Sequence, residues 1–165
     1  EFMMKLARAC LVFPLLLGIL LGIHLALNQT DFKRTCLDVE SEILQVRVAE
    51  TPAELEIGLS GIRKLKEGEG MLFIFKKDAK PVFRLGRVLY AVDIAFINEK
   101  GKILSIEHMD PKQNERVYPA PKETRYALEV PSGWLEKKGI RRGSRVNGNR
   151  KILKNGENCG AEGIA

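Results

Sequence analysis

Residues 67–97 constrain the fold of this chain more than any other segment. They contain two strongly apolar runs, Met71–Phe75 and Val92–Ile97, whose length and β-branched or aromatic content predict buried strands. One acid, Asp93, lies inside the second run. Because burying an unpaired carboxylate is costly, Asp93 must either have a partner or face an opening. The segment therefore predicts a sheet that carries an ionisable group among its apolar side chains.

Residues 1–27 have the pattern of an export signal or an N-terminal membrane anchor. Residues 1–2 look like a cloning remnant, and Lys5 and Arg8 precede an apolar run from Ala9 to Leu27. Basic residues before such a run favour an N-terminus that stays on the cytoplasmic side. A buried core helix is the alternative, but the flanking charge and the terminal position favour export. We therefore expect the body to be extracytoplasmic: secreted, periplasmic or anchored to a membrane and facing outward.

Hydrophobic alternation and turn residues divide the rest of the chain into three parts. Residues 28–42 are predicted to be a polar linker, residues 43–147 a single β-rich domain, and residues 148–165 a disordered tail rich in Asn, Gly and Lys. The domain contains several short strand patterns and two short helix patterns. This order predicts an α+β, mostly β fold, namely a small compact β-barrel or sandwich with two short helices.

Capping and turn signals locate the predicted elements within the domain. Thr51 followed by Pro52 and Glu54 predicts a helix that starts with a capping box. The segment 98–101, Asn-Glu-Lys-Gly, predicts a hairpin turn. Ser132 is predicted to cap a second short helix. The segment 110–122 carries three prolines and is expected to be an irregular loop, of the kind that often serves as a lid or binding loop.

The net charge of +6 is concentrated near the C-terminus. Residues 31–136 carry 17 Lys and Arg against 18 Asp and Glu, whereas residues 137–154 carry eight basic residues and no acid. Such a stretch suits a membrane surface or nucleic acid, but a solvated helix end and tail is favoured because no aromatic residue interleaves the charges. We therefore predict no nucleic-acid partner.

The three cysteines do not have the spacing of a metal site. Cys10 lies in the targeting segment, and Cys36 and Cys159 are far apart with no nearby pair of histidines. In an extracytoplasmic body Cys36 and Cys159 are either a disulfide or two free thiols. There is also no phosphate loop or dinucleotide fingerprint, so we predict no metal and no cofactor.

Four segments together resemble an uncharacterised bacterial and archaeal family, domain of unknown function 192. They read TPAELEIGLSG, EGEGMLFIF, VDIAFINEKGKI and YALEVPSGWLEKKGIRRGSRV, and the resemblance covers residues 44–146. It implies a compact β-rich barrel that often follows a signal peptide, and it implies no reaction. Where the family usually reads Phe-Trp-Met-Lys-Asn-Thr, this chain has Phe83 followed by Arg-Leu-Gly-Arg-Val, so it is identified as a divergent member.

Asp93 is the main candidate for a site, with Arg84 and Arg87 as its charge partners or as a ligand clamp. The structural alternative, which we favour, is that Asp93 accepts backbone hydrogen bonds at a strand–loop junction. His108 lies beside Glu107 in the sequence, but adjacent strand residues point to opposite faces, so His108 is expected to be solvated. No residue is predicted to be catalytic.

We therefore expect a secreted or envelope-associated β-rich module, assumed to be monomeric, that binds a small ligand or an envelope component and contacts the membrane through its N-terminal segment. A membrane-held accessory domain is a related possibility. The alternative of a different class is an enzyme of unknown chemistry with a site around Asp93 and the 110–122 loop. A non-enzymatic role is favoured because an enzyme needs several converging polar groups and only Asp93 is a firm candidate.

Overall fold

The computed structural model describes residues 31–77, 79–148, 152, 153 and 159. The predicted targeting segment, residues 1–27, and most of the predicted tail lie outside these residues. Within the described part of the chain, no helix combines the length and the apolar composition that crossing a membrane requires.

The fold class predicted from the sequence is confirmed, because the described residues form mostly strands with two short α-helices. The elements in chain order are β1 (Lys33–Val39), β2 (Glu42–Ala49), α1 (Pro52–Ile57), β3 (Glu69–Ile74), β4 (Val82–Phe83), β5 (Val92–Asn98), β6 (Ile103–Met109), a 3-10 turn (Pro111–Gln113), β7 (Tyr118–Pro119), β8 (Thr124–Pro131), α2 (Trp134–Lys137), β9 (Val146–Asn147) and β10 (Ile152–Leu153).

Most strands belong to one large sheet with the order β10-β1-β2-β3-β8-β5-β6, and β9 also pairs with β1. The pair β2–β3 is parallel, whereas the other pairs are antiparallel. A parallel pair needs a crossover connection, which α1 and the following loop provide. A separate two-stranded ribbon is formed by β4 and β7.

The large sheet curls so that one segment after α2 hydrogen-bonds both to the β5–β6 hairpin at one edge and to β1 near the other edge. Ile103 of β6 donates its N–H to the carbonyl of Ser144 at 2.9 Å, and Val146 donates to the carbonyl of Gly101 at 2.8 Å. Val146 also pairs with Val39 of β1. Gly101 has a φ of +75°, and a side chain there would collide with the Val146 carbonyl. Glycine is therefore required where the curl closes.

The two faces of the sheet carry separate apolar clusters. One, the aromatic face, includes Ile94 and Phe96 and is covered by the α1 and β4 segments. Phe83 of β4 packs edge-on against Phe73 and Phe96 there, with ring centroids 5.1 and 5.7 Å apart. The other, the helix-covered face, packs against α2 through Trp134 and includes Leu72, Ala95, Leu128, Val130 and Leu135.

The prediction of a polar linker over residues 28–42 is wrong where β1 lies, because Lys33–Val39 form a strand. This strand looks polar because much of one side is exposed, and only Leu37 and Val39 are buried. Its hairpin with β2 turns at Glu40 and Ser41, whose φ values are +52° and +72°. Such a turn normally uses Asn-Gly, so the sequence carries no recognisable hairpin signal here. Part of the predicted tail is also ordered, since β10 pairs with β1.

Of the predicted helix caps, hairpin turn and irregular loop, the structure confirms some and corrects others. The capping box is confirmed, because the Thr51 hydroxyl accepts from the Glu54 N–H at 3.3 Å and the Glu54 carboxylate accepts from the Thr51 N–H at 2.8 Å. The turn at residues 98–101 is confirmed as the β5–β6 hairpin. Ser132 as the cap of α2 is wrong: the N-cap is Gly133, and no side chain caps that helix. The 110–122 loop is partly regular, since it contains the 3-10 turn and β7.

Candidate functional site

An open cleft lies on the helix-covered face, between the β5–β6 hairpin and the segment formed by α2 and the loop after it. Its volume is about 520 Å³. Its lining combines apolar, acidic, basic and imidazole side chains, namely Asp93, Ser105, Ile106, His108, Leu135, Glu136, Ile140, Arg141 and Arg142.

Asp93 and His108 form an ion pair or hydrogen bond at one wall of this cleft. The antiparallel register of β5 and β6 places the two residues directly opposite each other. The distance from Asp93 Oδ1 to His108 Nδ1 is 2.8 Å, and the second carboxylate oxygen accepts the Gly133 N–H at 2.7 Å. Asp93 is 8% exposed, whereas the His108 side chain is 56% exposed. A buried carboxylate is thus satisfied by one backbone donor and one half-exposed imidazole.

This arrangement agrees in part with the structural interpretation of Asp93. The expected backbone donor is present, since the Gly133 N–H holds Asp93 at the junction of β8 and α2. The expectation that Arg84 or Arg87 is its charge partner is wrong. Those arginines flank Leu85 and Val88, which are buried in the cluster of the aromatic face. Asp93 points to the other face, so neither arginine forms an ion pair with it among the described residues.

Ser132 approaches the same imidazole but is not arranged as a nucleophile. Its hydroxyl lies 3.4 Å from His108 Nδ1, the nitrogen that already bonds Asp93. In a Ser-His-Asp triad the serine and the acid bond different ring nitrogens, so that the imidazole can pass a proton between them. Because a carboxylate only accepts, Nδ1 carries the hydrogen and Nε2 is the ring nitrogen left for a ligand. His108 is exposed to solvent, as expected, but it is also hydrogen-bonded to Asp93, which the sequence did not predict.

The opposite wall of the cleft is basic. Arg141 and Arg142 follow the end of α2, and neither guanidinium has an ion-pair partner within the described ranges. Two lysines just before them are paired, Lys137 with Glu67 and Lys138 with Glu42, each at 2.8 Å. Within the described residues of this basic stretch, Arg141 and Arg142 are exposed, as expected of a solvated helix end, and they also line the cleft.

A second polar cluster, not anticipated from the sequence, lies on the aromatic face. Glu129 is 4% exposed between Met71 and Ile94 of the neighbouring strands. Burial raises the pKa of Glu129 to about 8. Burial also raises the pKa of Tyr90 to about 12, with the nearby Glu129 charge as a smaller cause, and the Tyr90 hydroxyl is buried without a hydrogen-bond partner in the described part of the chain.

Two further features bear on ligands and covalent links. Within residues 31–77, 79–148, 152, 153 and 159, no three His, Cys, Asp or Glu side chains are grouped so as to hold a metal ion. The structure joins Cys36 of β1 and Cys159 in a disulfide, with their Cα atoms 5.7 Å apart.

Comparison with known proteins gave one family and several similar folds. The model of the family described as Uncharacterized ACR, DUF192, matches residues 35–148. A crystal structure of a candidate transcription regulator from Sinorhizobium meliloti has a TM-score of 0.66 and 26% identity, over 73% of this chain and 98% of that one. A protein of unknown function from Novosphingobium aromaticivorans has a TM-score of 0.68 and 23% identity, over 73% and 89% of the two chains. No curated protein matches this chain.

Proposed function

This chain belongs to the uncharacterised family DUF192, and from that premise we propose that it is an extracytoplasmic, non-enzymatic module whose ligand binds in the cleft beside Asp93 and His108. The observation that carries the proposal is the Asp93–His108 pair at the cleft wall. Ligand sites are typically concave, largely apolar and equipped with a few converging polar groups. Ile106, Leu135 and Ile140 supply the apolar lining of this cleft.

Asp93 has the features of a residue that positions another side chain. Each of its oxygens accepts a hydrogen bond, one from the Gly133 N–H and one from His108 Nδ1, and only 8% of the residue is exposed, so little of it is accessible to a ligand. The pairing orients the imidazole and leaves its exposed edge facing the cleft. His108 is therefore the residue proposed to touch the ligand, and Asp93 the residue that holds it in place.

The enzymatic alternative has one observation in its favour, because an Asp–His pair is also how many enzymes orient a general base. Two features favour binding over catalysis. Ser132 shares the nitrogen used by Asp93, so no activated nucleophile is formed. The 110–122 loop, expected to complete an active site, packs its Tyr118 and Ala120 against the aromatic face and does not line the cleft.

Transcription regulation, suggested by the description of the Sinorhizobium protein, is not what we propose. The described helices, Pro52–Ile57 and Trp134–Lys137, have six and four residues. They are too short to act as a recognition helix in the major groove. A gel-shift experiment with mixed-sequence duplex DNA should show no salt-resistant complex, and such a complex would overturn this part of the proposal.

Two features support an extracytoplasmic location. Disulfides persist in oxidising compartments, and Cys36 is bonded to Cys159. The basic residues and apolar run of residues 1–27 have the pattern of an export segment. A compartment-sensitive reporter fused after residue 157 should be active only outside the cytoplasm, and activity inside would reject this location.

The binding function is tested by mapping ligand contacts on the full-length chain. A panel of neutral sugars, amino acids, carboxylic acids and phosphate esters is titrated while the ring signals of His108 are followed by NMR. A true ligand should shift those signals saturably. The His108→Ala variant should weaken binding, whereas Lys112→Ala, a change on the exposed 3-10 turn, should not. The proposal fails if no member of the panel shifts the His108 signals.

A further inference from the structure

We propose that the ligand of this cleft carries an anionic group, a carboxylate or a phosphate, which Arg141 and Arg142 bind. This inference rests on the proposed binding function and adds the chemical class of the ligand. Guanidinium groups present planar, charged forks of N–H donors that match the oxygens of these anions. Among the described residues, Arg141 and Arg142 are the only Lys or Arg side chains that line the cleft.

The first support is that Arg141 and Arg142 form no ion pair with a described residue, whereas the two lysines just before them do. Lys137 and Lys138 each have a carboxylate at 2.8 Å, supplied by Glu67 and Glu42. Neither Arg141 nor Arg142 forms such a pair with any described acid. Exposed arginines that lack a protein partner keep all five donors for an incoming anion.

The second support is that neither acid of the cleft lining is paired with the two arginines. Asp93 accepts hydrogen bonds from His108 and from the Gly133 N–H, and it forms no ion pair with either arginine among the described residues. The remaining acid of the lining is Glu136, which is exposed to solvent. Lys102 also approaches this segment, since its side chain lies near Gly143. The two guanidinium groups therefore line the cleft without a carboxylate partner among the described residues, and Lys102 adds a further positive charge near the segment that carries them.

The third support is that the backbone carrying the arginines is held in place. Gly139 ends the helix with a φ of +68°, and the buried Ile140 donates its N–H to the Leu135 carbonyl at 2.9 Å. The Arg141 N–H donates to the Ser144 hydroxyl at 3.2 Å, and Ser144 is itself bonded to β6. A cation on a fixed backbone loses less conformational freedom when it binds a ligand.

The experiment titrates inorganic phosphate and, separately, succinate into the full-length chain at low ionic strength, with Trp134 fluorescence as the signal. Trp134 is the single tryptophan and is buried next to Leu135, which lines the cleft. Saturable binding is expected with at least one of the two anions. The R141A/R142A double variant should weaken that binding by about tenfold or more, because charge-assisted hydrogen bonds are lost.

The matched control is the R84A/R87A double variant, which removes the same charge on the other side of the sheet. It should bind like the parent protein, and thermal melts of both variants check that each is folded. Equal weakening by the two double variants would show a nonspecific charge effect and overturn the inference. So would unchanged binding by R141A/R142A.

A second arm distinguishes a free anion from a lipid headgroup. The chain is sedimented with vesicles of phosphatidylcholine alone and with vesicles that also contain phosphatidylglycerol. A loss of binding to the anionic vesicles in R141A/R142A, relative to R84A/R87A, assigns the anion to lipid, and loss of phosphate or succinate binding alone assigns it to a free ligand. If neutral ligands shift His108 and no anion binds, the anion inference fails while the binding function stands. If nothing shifts His108, both fail.

Discussion

Asp93 shows at the scale of one residue how a buried charge is kept in an apolar strand. Its neighbours Val92 and Ile94 are fully buried. The carboxylate is retained because a backbone N–H and an imidazole satisfy both oxygens. Removing it leaves the Gly133 N–H and the half-exposed His108 without their charged acceptor, and a hydrogen bond to a charged group contributes more stability than one between neutral groups.

We expect Asp93→Ala to lower the free energy of unfolding by about 1–3 kcal/mol. Asp93→Asn should cost less, since its amide oxygen still accepts from the Gly133 N–H and its amide nitrogen can face the imidazole. Urea unfolding of both variants measures the difference. Glu136→Ala, which removes an exposed acid from the same cleft, is the control and should change little. Parent-like unfolding of both Asp93 variants would contradict the structural role.

The raised pKa of Glu129 predicts how the stability of the protein depends on pH. Its pKa is raised from 4.5 to about 8 by burial, so the folded state holds the proton over a range in which the unfolded state has released it. Below pH 4.5 both states are protonated and Glu129 imposes no charge penalty. As pH rises from 4.5 to about 8, stability falls, and the loss is complete above that range.

Glu129→Gln should remove this pH dependence and make the protein more stable than the parent at pH 9, by an amount on the order of 2–5 kcal/mol at most. Urea unfolding of parent and variant at pH 5 and pH 9 measures it. Two proteins that lose the same stability between those pH values would show that Glu129 is not the titrating group. Glu107→Gln, a more exposed acid of β6, serves as the matched substitution.

At the scale of elements, the β5–β6 hairpin determines which residue meets Asp93. Next to the turn, Ile97 pairs with Ile103, and a regular hairpin continued from there would place Asp93 opposite Glu107. A register shift between Phe96 and Ile97 moves the pairing by one residue, so that His108 takes that place. A one-residue shift also exchanges the two faces of a strand. This register shift therefore places Asp93 opposite His108.

The closure of the curl predicts the effect of a side chain at Gly101. Gly101→Ala should lower the free energy of unfolding by about 1–3 kcal/mol from the left-handed backbone alone, and further through the collision with the Val146 carbonyl. The control is Gly148→Ala, because a side chain at Gly148 meets no atom within 4 Å. Urea unfolding compares the two, and equal stability would show that the closure at Val146 is dispensable.

For the whole molecule, the disulfide ties Cys159 to strand β1 of the large sheet. Cys36 and Cys159 are separated by 123 positions, so the bond closes a very long loop. Such a loop restricts the unfolded chain strongly. Reduction should therefore destabilise the protein by about 2–4 kcal/mol.

A thermal melt with and without reductant measures this effect. Cys36→Ser should melt like the reduced parent and should not respond to reductant. Cys10→Ser, which changes the cysteine outside the bond, should melt like the oxidised parent. A parent whose melting temperature ignores reductant would contradict a stabilising role for the bond.

The sequence by itself determined those features of this protein that depend on neighbouring residues. The apolar run Val92–Ile97 predicted a buried strand, the Thr51 capping box predicted the start of a helix, and the 98–101 turn predicted a hairpin. Each depends on contacts a few residues apart, so the local pattern is sufficient. The same patterns predicted the mostly β class.

Only the tertiary structure decided which side chains meet. The pairing of Asp93 with His108 depends on a bulge, β1 depends on a turn without its usual residues, and Arg141 reaches the cleft because the chain after α2 crosses between sheet edges. These outcomes reflect competition among many long-range pairings of similar local quality. The pairing that forms is the one that buries the apolar side chains and satisfies the hydrogen bonds of the whole sheet. That total free energy depends on residues far apart in the chain, so it cannot be read from a short stretch of sequence.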